Sequence, residues 1–288
     1  MRAPLLAAAV LALLSCPVVR AVAAEPASPD SASHDPDLSP SEETAKAALE
    51  TSPRHGEFVD VPRASGQTPI RTWVVYPERK DKAGVVLLIH EIFGLSDWIR
   101  GVADQLAREG FIAVAPDLLS GMGPGGGGTD SVASRDELVK LVRALTPEET
   151  QTRLDAVRDY ATRLPAANGR FGTIGFCWGG TRSFAYAATR PAPAATIVYY
   201  GSSPDSATLM NVRAPVLGLY GGDDARVNAT IDAARAALAK PPRSYEPHIF
   251  PGAGHGFLRQ QSGREGANLR ATGQAWPLTL AFLRRHLK

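Results

Sequence analysis

Short runs of apolar and β-branched residues recur along the chain, separated by longer amphipathic stretches. Gly84 to His90, Phe111 to Ala115, Phe171 to Gly175, Thr196 to Tyr200, Val216 to Tyr220 and Tyr245 to Phe250 are such runs. Such short runs fit strands buried on both faces. Between them, Trp98 to Glu109, Ser134 to Ala144, Pro147 to Leu164, Thr181 to Thr189, Ala229 to Leu238 and Thr272 to His286 have helical character. Thr146-Pro147-Glu148-Glu149 is a capping box with proline at the first helical position, which predicts a helix start there. Ahead of these, Glu57 to Val61 and Ile70 to Tyr76 read as antiparallel strands around a turn at Gly66. Strands alternating with helices predict an α/β class: a mostly parallel central sheet with helices on both faces, in one domain over residues 56–288.

The first 55 residues lack this pattern. Arg2, the apolar run Pro4 to Leu14 and the small residues Ala21-Val22-Ala23-Ala24 read as an export signal over residues 1–24. Its apolar run is shorter than the ~20 residues that span a bilayer. The reading implies a periplasmic or secreted bacterial protein, cleaved after Ala23 or Ala24. Leu13-Leu14-Ser15-Cys16 is a rival lipoprotein box, which Leu14 and Pro17 fit poorly. Residues 25–55 are rich in Ser, Pro, Asp, Glu and Ala, with prolines at 26, 29, 36 and 40, and are expected to form a disordered leader.

Composition sharpens this picture in two places. Of 288 residues, 44% are hydrophobic, enough for one large core. Past residue 24 acidic and basic residues balance, so there is no broad electrostatic footprint for nucleic acid or an anionic membrane. The basic end Arg284-Arg285-His286-Leu287-Lys288 reads as a last helical turn complementing the helix dipole. Of the two cysteines, Cys16 would leave with the signal. Cys177 is then a lone thiol in an exported protein, either buried and inert or present for its chemistry.

The chemistry-bearing residues cluster after predicted strands. Gly175-Phe176-Cys177-Trp178-Gly179-Gly180 joins a strand to a helix and has the form of a nucleophile elbow with Cys in place of Ser. Such a turn is sharp, and residues two positions either side of the nucleophile must be small, as Gly175 and Gly179 are. The helix N-terminus is expected to lower the thiol pKa, and its amides can hold an oxyanion. The alternative is a core cysteine in a glycine-rich turn. His255, in Gly252-Ala253-Gly254-His255-Gly256-Phe257, follows the last predicted strand and is the candidate base. Asp223 and Asp224 both follow Val216 to Tyr220; Asp224 is preferred as the acid, the other being a turn residue. The order Cys177, Asp224, His255 is that of α/β-hydrolases, not of chymotrypsin or subtilisin.

Three segments together, Gly-Phe-Cys-Trp-Gly-Gly at 175–180, His-Glu-Ile-Phe-Gly-Leu at 90–95 and Gly-Ala-Gly-His-Gly-Phe at 252–257, resemble the dienelactone hydrolase (carboxymethylenebutenolidase) family. The resemblance covers roughly residues 56–288. It implies an α/β-hydrolase fold and hydrolysis of a small ester or lactone through an acyl-cysteine. The family's Gly-x-x-Asp pattern falls on Gly221 and Asp224. The resemblance also implies that Glu91 contacts the resting thiol and helps form thiolate when substrate binds; an isolated salt bridge is the plainer role for this residue. The amides of Ile92 and Trp178 are the expected oxyanion hole.

One departure concerns the substrate. Relatives acting on dienelactone carry an Arg four residues after the Asp of Pro-Asp-Leu, to hold a carboxylate, and Pro116-Asp117-Leu118 has none there. The second such Arg is matched by Arg259, which either binds an acidic substrate group or is a solvated surface charge. Met122 to Thr129 is glycine-rich but lacks the Gly-Lys-Ser/Thr ending of a phosphate loop, and reads as a rim, a lid or a linker. No His, Cys or carboxylate cluster has metal-ligand spacing, and no cofactor is expected. The chain is expected to act as a monomer on a small-molecule ester or lactone, without nucleic-acid or stable membrane partners. The competing class is a catalytically silent exported binding module on the same fold.

Overall fold

The computed structural model describes Met1, residues 35–241 and residues 243–288. The expected export signal, Cys16 and residues 25–34 of the leader lie outside the described residues. The described residues from 35 to 288 belong to one compact unit. Its elements run α1 (Ala45–Glu50), β1 (Gly56–Val61), β2 (Ile70–Val75), β3 (Ala83–Ile89), α2 (Asp97–Arg108), β4 (Ile112–Pro116), α3 (Arg135–Ala144), α4 (Pro147–Ala161) and β5 (Ala167–Phe176). They continue with α5 (Trp178–Tyr186), β6 (Ala195–Tyr199), α6 (Ser206–Asn211), β7 (Pro215–Gly221), α7 (Ala225–Asn228), α8 (Ile231–Ala237), β8 (Ser244–Phe250) and α9 (Ala267–Leu287).

The strands build one sheet in the order β1-β2-β4-β3-β5-β6-β7-β8. β1 pairs antiparallel with β2, and β2 with β4; the pairs from β4 and β3 through to β8 are parallel. Every residue of β3 and β4 is buried, as continuous apolar runs require. Side chains alternate across β3: Val86 and Leu88 join a core layer with α2 and α9, while Val85, Leu87 and Ile89 join one with α4. Trp98 of α2 and Trp276 of α9 are among the largest fully buried side chains. Pro247 sits in the outermost strand β8, the kind of strand in which proline is tolerated. α4 starts where read, with the Glu149 amide donating to Thr146 Oγ1 over 3.1 Å, but the Glu149 carboxylate accepts Arg63 and Arg153 instead of the Thr146 amide, so only half of the capping box forms.

Two differences from the sequence pattern matter. The predicted helix Ala229 to Leu238 forms only as the shorter α8, and the separate short α7 precedes it, in residues the sequence pattern left outside a helix. More consequentially, residues 35–55 differ from the expected unstructured leader: they are packed on the domain and include α1. Apolar periodicity is indeed weak there, so side-chain donors on α2 hold the segment through its main chain. Trp98 Nε1 donates to the Pro40 carbonyl over 3.0 Å, and Gln105 Nε2 to that of Pro36 over 2.9 Å. Ser52 and Arg54 both donate to Asp104, the latter pair 2.5 Å apart. Ser39 and Ala45 are fully buried. A Cβ on Gly101 would lie 2.9 Å from Pro40 Cγ, so this glycine lets the segment lie flat on α2.

Candidate active site

The C-terminal ends of the parallel strands meet on one side of the sheet, where open α/β sheets place their ligands. Glu91 lies just past β3, Cys177 past β5, Tyr200 past β6, Asp224 past β7 and His255 past β8. Glu91, Cys177, Tyr200 and Asp224 thus follow strands inside the sheet, and His255 follows the outermost strand β8.

Cys177 is the cap between β5 and α5, with φ of 54° and ψ of −116°. A non-glycine residue in that region is strained and persists only where its surroundings over-determine it. Here they do. A Cβ on Gly175 would lie 2.0 Å from the Gly179 carbonyl oxygen, and one on Gly179 would lie 2.2 Å from that of Ile89. The strand-to-helix turn is closed so tightly that only glycine fits on either side of Cys177.

His255 Nε2 lies 3.0 Å from Cys177 Sγ, and His255 Nδ1 lies 2.5 Å from Asp224 Oδ2. The other oxygen of Asp224 accepts the Val227 amide at the start of α7. Asp223, one residue earlier, instead pairs with Arg264 at 3.1 Å. The three side chains preferred from the sequence therefore form one hydrogen-bonded series, thiol to imidazole to carboxylate. Tyr200 packs its ring on His255 with centroids 5.2 Å apart.

The electrostatics differ from the expectation of a lowered thiol pKa. Burial, and then the charge of Glu91, push the Cys177 thiol up to about 11; the Trp178 amide donates to the sulfur and offsets only part of this. One helix-end amide does not outweigh loss of water around the sulfur. Burial likewise pushes Glu91, 3% exposed, up to about 7, against the lowering influence of Arg259. No hydrogen bond joins Glu91 to the Cys177 thiol. Glu91 pairs instead with Arg259, whose Nε lies 3.0 Å from Glu91 Oε1. The N–H does not point along that line, so both atoms lack an aligned hydrogen bond. Arg259 Nη1 also donates to Glu42. The guanidinium expected either to reach substrate or to lie in solvent is thus engaged by two carboxylates of its own chain and is nearly buried.

Ile92 follows Glu91 and its amide donates to no backbone carbonyl among the described residues. The loop that carries it is fixed by His90. The Leu118 amide donates to His90 Nε2 over 3.3 Å, leaving Nδ1 to donate to the Glu91 carbonyl over 2.7 Å. Burial holds His90 below the ordinary histidine range, so it is neutral, as this tautomer requires. Asp117 anchors the glycine-rich segment: it accepts the Thr129 amide and hydroxyl, both over 2.7 Å, and the Leu119 amide over 3.0 Å. Thr129 Oγ1 in turn accepts the Leu95 amide over 3.0 Å, tying this segment to the Glu91 loop.

The residues that sequence reasoning passed over are Tyr200, His90, Asp117 and Glu42. Tyr200 has φ of 41° and a buried hydroxyl without a hydrogen-bond partner among the described residues. Burial and the nearby Glu91 and Cys177 charges raise its pKa well above that of a free phenol. In the sequence it is the last residue of the run Thr196 to Tyr200, and that place at a strand end was the only signal for it. Glu42 had none, because nothing in residues 35–55 marks which side chain meets the site.

Similarity to known proteins agrees with this arrangement. The sequence profile of the dienelactone hydrolase family matches residues 70–287. A protein of Methylorubrum extorquens named for carboxymethylenebutenolidase activity is 32% identical over 212 residues, covering 69% of this chain and 71% of the relative. One from Yersinia pestis with the same name is 30% identical over 214 residues, covering 70% and 78%. A crystal structure described as a dienelactone hydrolase from Klebsiella pneumoniae superposes with a TM-score of 0.69 at 27% identity, covering 80% of this chain and 98% of that one. With its mostly parallel eight-stranded sheet, the chain has the α/β-hydrolase fold and belongs to the dienelactone hydrolase family, a family of hydrolases.

Proposed function

We propose that this protein hydrolyses a small ester or lactone through an acyl-cysteine intermediate. The observation that carries the reading is the continuous series Cys177 Sγ, His255 and Asp224 Oδ2, with separations of 3.0 and 2.5 Å. A nucleophile in reach of a base, and a base oriented by a third group, is the arrangement that nucleophilic acyl transfer needs.

The resting thiol is protonated, since its pKa lies near 11. On attack, its proton passes to His255 Nε2 as the sulfur bonds to the acyl carbon. The carbonyl oxygen becomes an oxyanion facing the Trp178 and Ile92 amides. The C–O bond to the leaving oxygen then breaks, and His255 returns the proton to that oxygen. In a lactone the leaving oxygen stays attached, and the ring opens. Water, deprotonated by His255, cleaves the thioester and restores the thiol. Asp224 holds the imidazole with Nε2 toward sulfur and stabilises the imidazolium. Glu91 acts through charge: it disfavours thiolate until substrate displaces water and its own proton balance shifts. The export reading of residues 1–24 is part of the same proposal and places the reaction outside the cytoplasm.

The test is turnover of short-chain aryl esters and lactones, dienelactone included, by the purified protein and by Cys177→Ala. Denatured mass spectrometry should trap a mass increase equal to the acyl group on wild type alone. Equal turnover by the alanine variant would sink the mechanism. A silent binding module is the second reading, favoured by the high thiol pKa; it predicts ligand binding without turnover of any ester in the panel.

A further inference from the structure

Glu42 lies in the segment whose sequence reads as a leader, yet both its main chain and its carboxylate are tied to the site wall. Its amide donates to the Arg259 carbonyl over 2.9 Å. The turn that follows is held by Ser41 and Thr44, the Ser41 amide donating to Thr44 Oγ1 over 3.0 Å. One carboxylate oxygen accepts Arg259 Nη1 and the other accepts Arg135 Nη2. Both guanidinium groups lie against the ring of Phe93, 5.2 and 4.8 Å from its centroid. Two cations against one aromatic ring, in the loop that carries Glu91 and Ile92, both hydrogen-bonded to one carboxylate, make a carboxylate seat that the chain fills with its own.

We propose that Glu42 determines the charge selectivity of the site, so that it accepts acyl groups with a neutral end and discriminates against those that carry a carboxylate. The proposal rests on the hydrolytic reading above for its substrates. A substrate carboxylate directed to this seat must either displace Glu42 from two guanidiniums or sit beside a like charge. Discrimination by a repulsive group is a common route to specificity. Arg259 is already paired with Glu91 as well, so with Glu42 in place and Glu91 ionised this corner carries two cations against two carboxylates, and above about pH 7 it offers no net positive charge to an incoming anion.

The experiment compares full-length wild type with Glu42→Gln on a matched pair, 4-nitrophenyl valerate and mono-4-nitrophenyl glutarate. These differ only in a terminal methyl against a terminal carboxylate. The ratio of kcat/KM, anionic over neutral, should rise about tenfold to a hundredfold in Glu42→Gln, the range expected for one charge-assisted hydrogen bond. The gain should fall in KM for the glutarate ester. Glu42→Asp, which keeps the charge, should leave the ratio near that of wild type, and Glu42→Gln/Arg259→Gln should lose the gain. A segment that had merely loosened would change both esters together and leave the ratio unmoved. Alkylation of Cys177 by iodoacetate relative to iodoacetamide reads the same charge without any turnover, and its ratio should rise in Glu42→Gln too. Absence of ester turnover therefore counts against the hydrolytic reading only. Ratios unmoved by Glu42→Gln, or a gain that survives loss of Arg259, would overturn the assignment of Glu42.

Discussion

Asp224 Oδ2 lies 2.5 Å from His255 Nδ1, while the adjacent Asp223 turns outward to Arg264. Two identical side chains, one residue apart, face opposite ways because Asp224 begins α7, and its second oxygen is held by the Val227 amide. The imidazole orientation thus depends on one of two chemically equivalent neighbours.

The first prediction follows from this pair. Asp224→Asn should lower kcat for ester hydrolysis by about 10³–10⁴-fold, as loss of the orienting acid does in comparable triads. Asp223→Asn should leave kcat within a few-fold and change stability by less than about 0.5 kcal/mol, as exposed substitutions do. Steady-state kinetics on one aryl ester checks both, and comparable losses in the two variants would contradict the assignment.

The second concerns pH. With a thiol pKa of about 11, the thiolate fraction of Cys177 rises about tenfold per pH unit from neutrality. Alkylation by iodoacetamide should climb without a plateau to pH 10, whereas an ordinary thiol levels off above about 8.5. Glu91 raises the thiol pKa by its negative charge, so Glu91→Gln removes a cause of the rise and should move the curve to lower pH. A shift to higher pH would mean that Glu91 promotes ionisation in the resting protein.

The third addresses stability. The folded-state pKa of Glu91, about 7, lies above the ordinary value of 4.5. A carboxyl raised in this way contributes stability that is fully present below its unfolded pKa and is lost as pH rises through the folded one. Wild type should therefore lose stability between about pH 4.5 and 7 relative to Glu91→Gln, which lacks this titration. Urea unfolding of both proteins at pH 4.5 and 7.5 measures the difference. The gap between the curves should shift in favour of the variant at the higher pH.

The fourth concerns the glycine-rich segment. Asp117→Asn turns one carboxylate oxygen into a donor facing the donors of Thr129 and Leu119. Losing at least one charge-assisted bond at a buried site should cost about 1.5–3 kcal/mol, or roughly 3–12 °C in Tm for a domain of this size. Limited proteolysis should then cut within residues 122–128, which wild type resists. An unchanged Tm would show that Asp117 does not hold this segment.

The elbow supplies a fifth. Gly175→Ala places a Cβ 2.0 Å from a carbonyl oxygen, a contact that no rotamer relieves. The cost should reach or exceed the upper end of the ~1–3 kcal/mol typical of overpacking. Recovery of soluble protein and its Tm test this directly. Full stability in the alanine variant would mean that the turn is looser than its geometry indicates.

All eight strands and the main helices were legible along the chain, because the inner strands, buried on both faces, write continuous apolar runs, the half-buried edge strands β1 and β8 still carry β-branched or aromatic residues, and Thr146-Pro147 marks a helix start. The elbow was legible for a related reason: glycine at 175 and 179 is the local trace of a steric demand two residues from the nucleophile. The order of Cys177, Asp224 and His255, each behind its own strand, carried the rest of the series. Other features depend on who the neighbours are. Burial and the Glu91 charge raise the thiol where a helix end alone would lower it, and neither is visible in residues 175–180. Arg259 reads as free in sequence because Glu42 and Glu91 lie 217 and 168 positions away along the chain. Residues 35–55 carry no apolar period because main-chain carbonyls bonded to α2, not a buried stripe, hold much of the segment, and hydrogen bonds of that kind leave no periodic mark. Local pattern settles elements and strained turns; charge state and the partners of each ion pair are settled only when distant segments meet and exclude water.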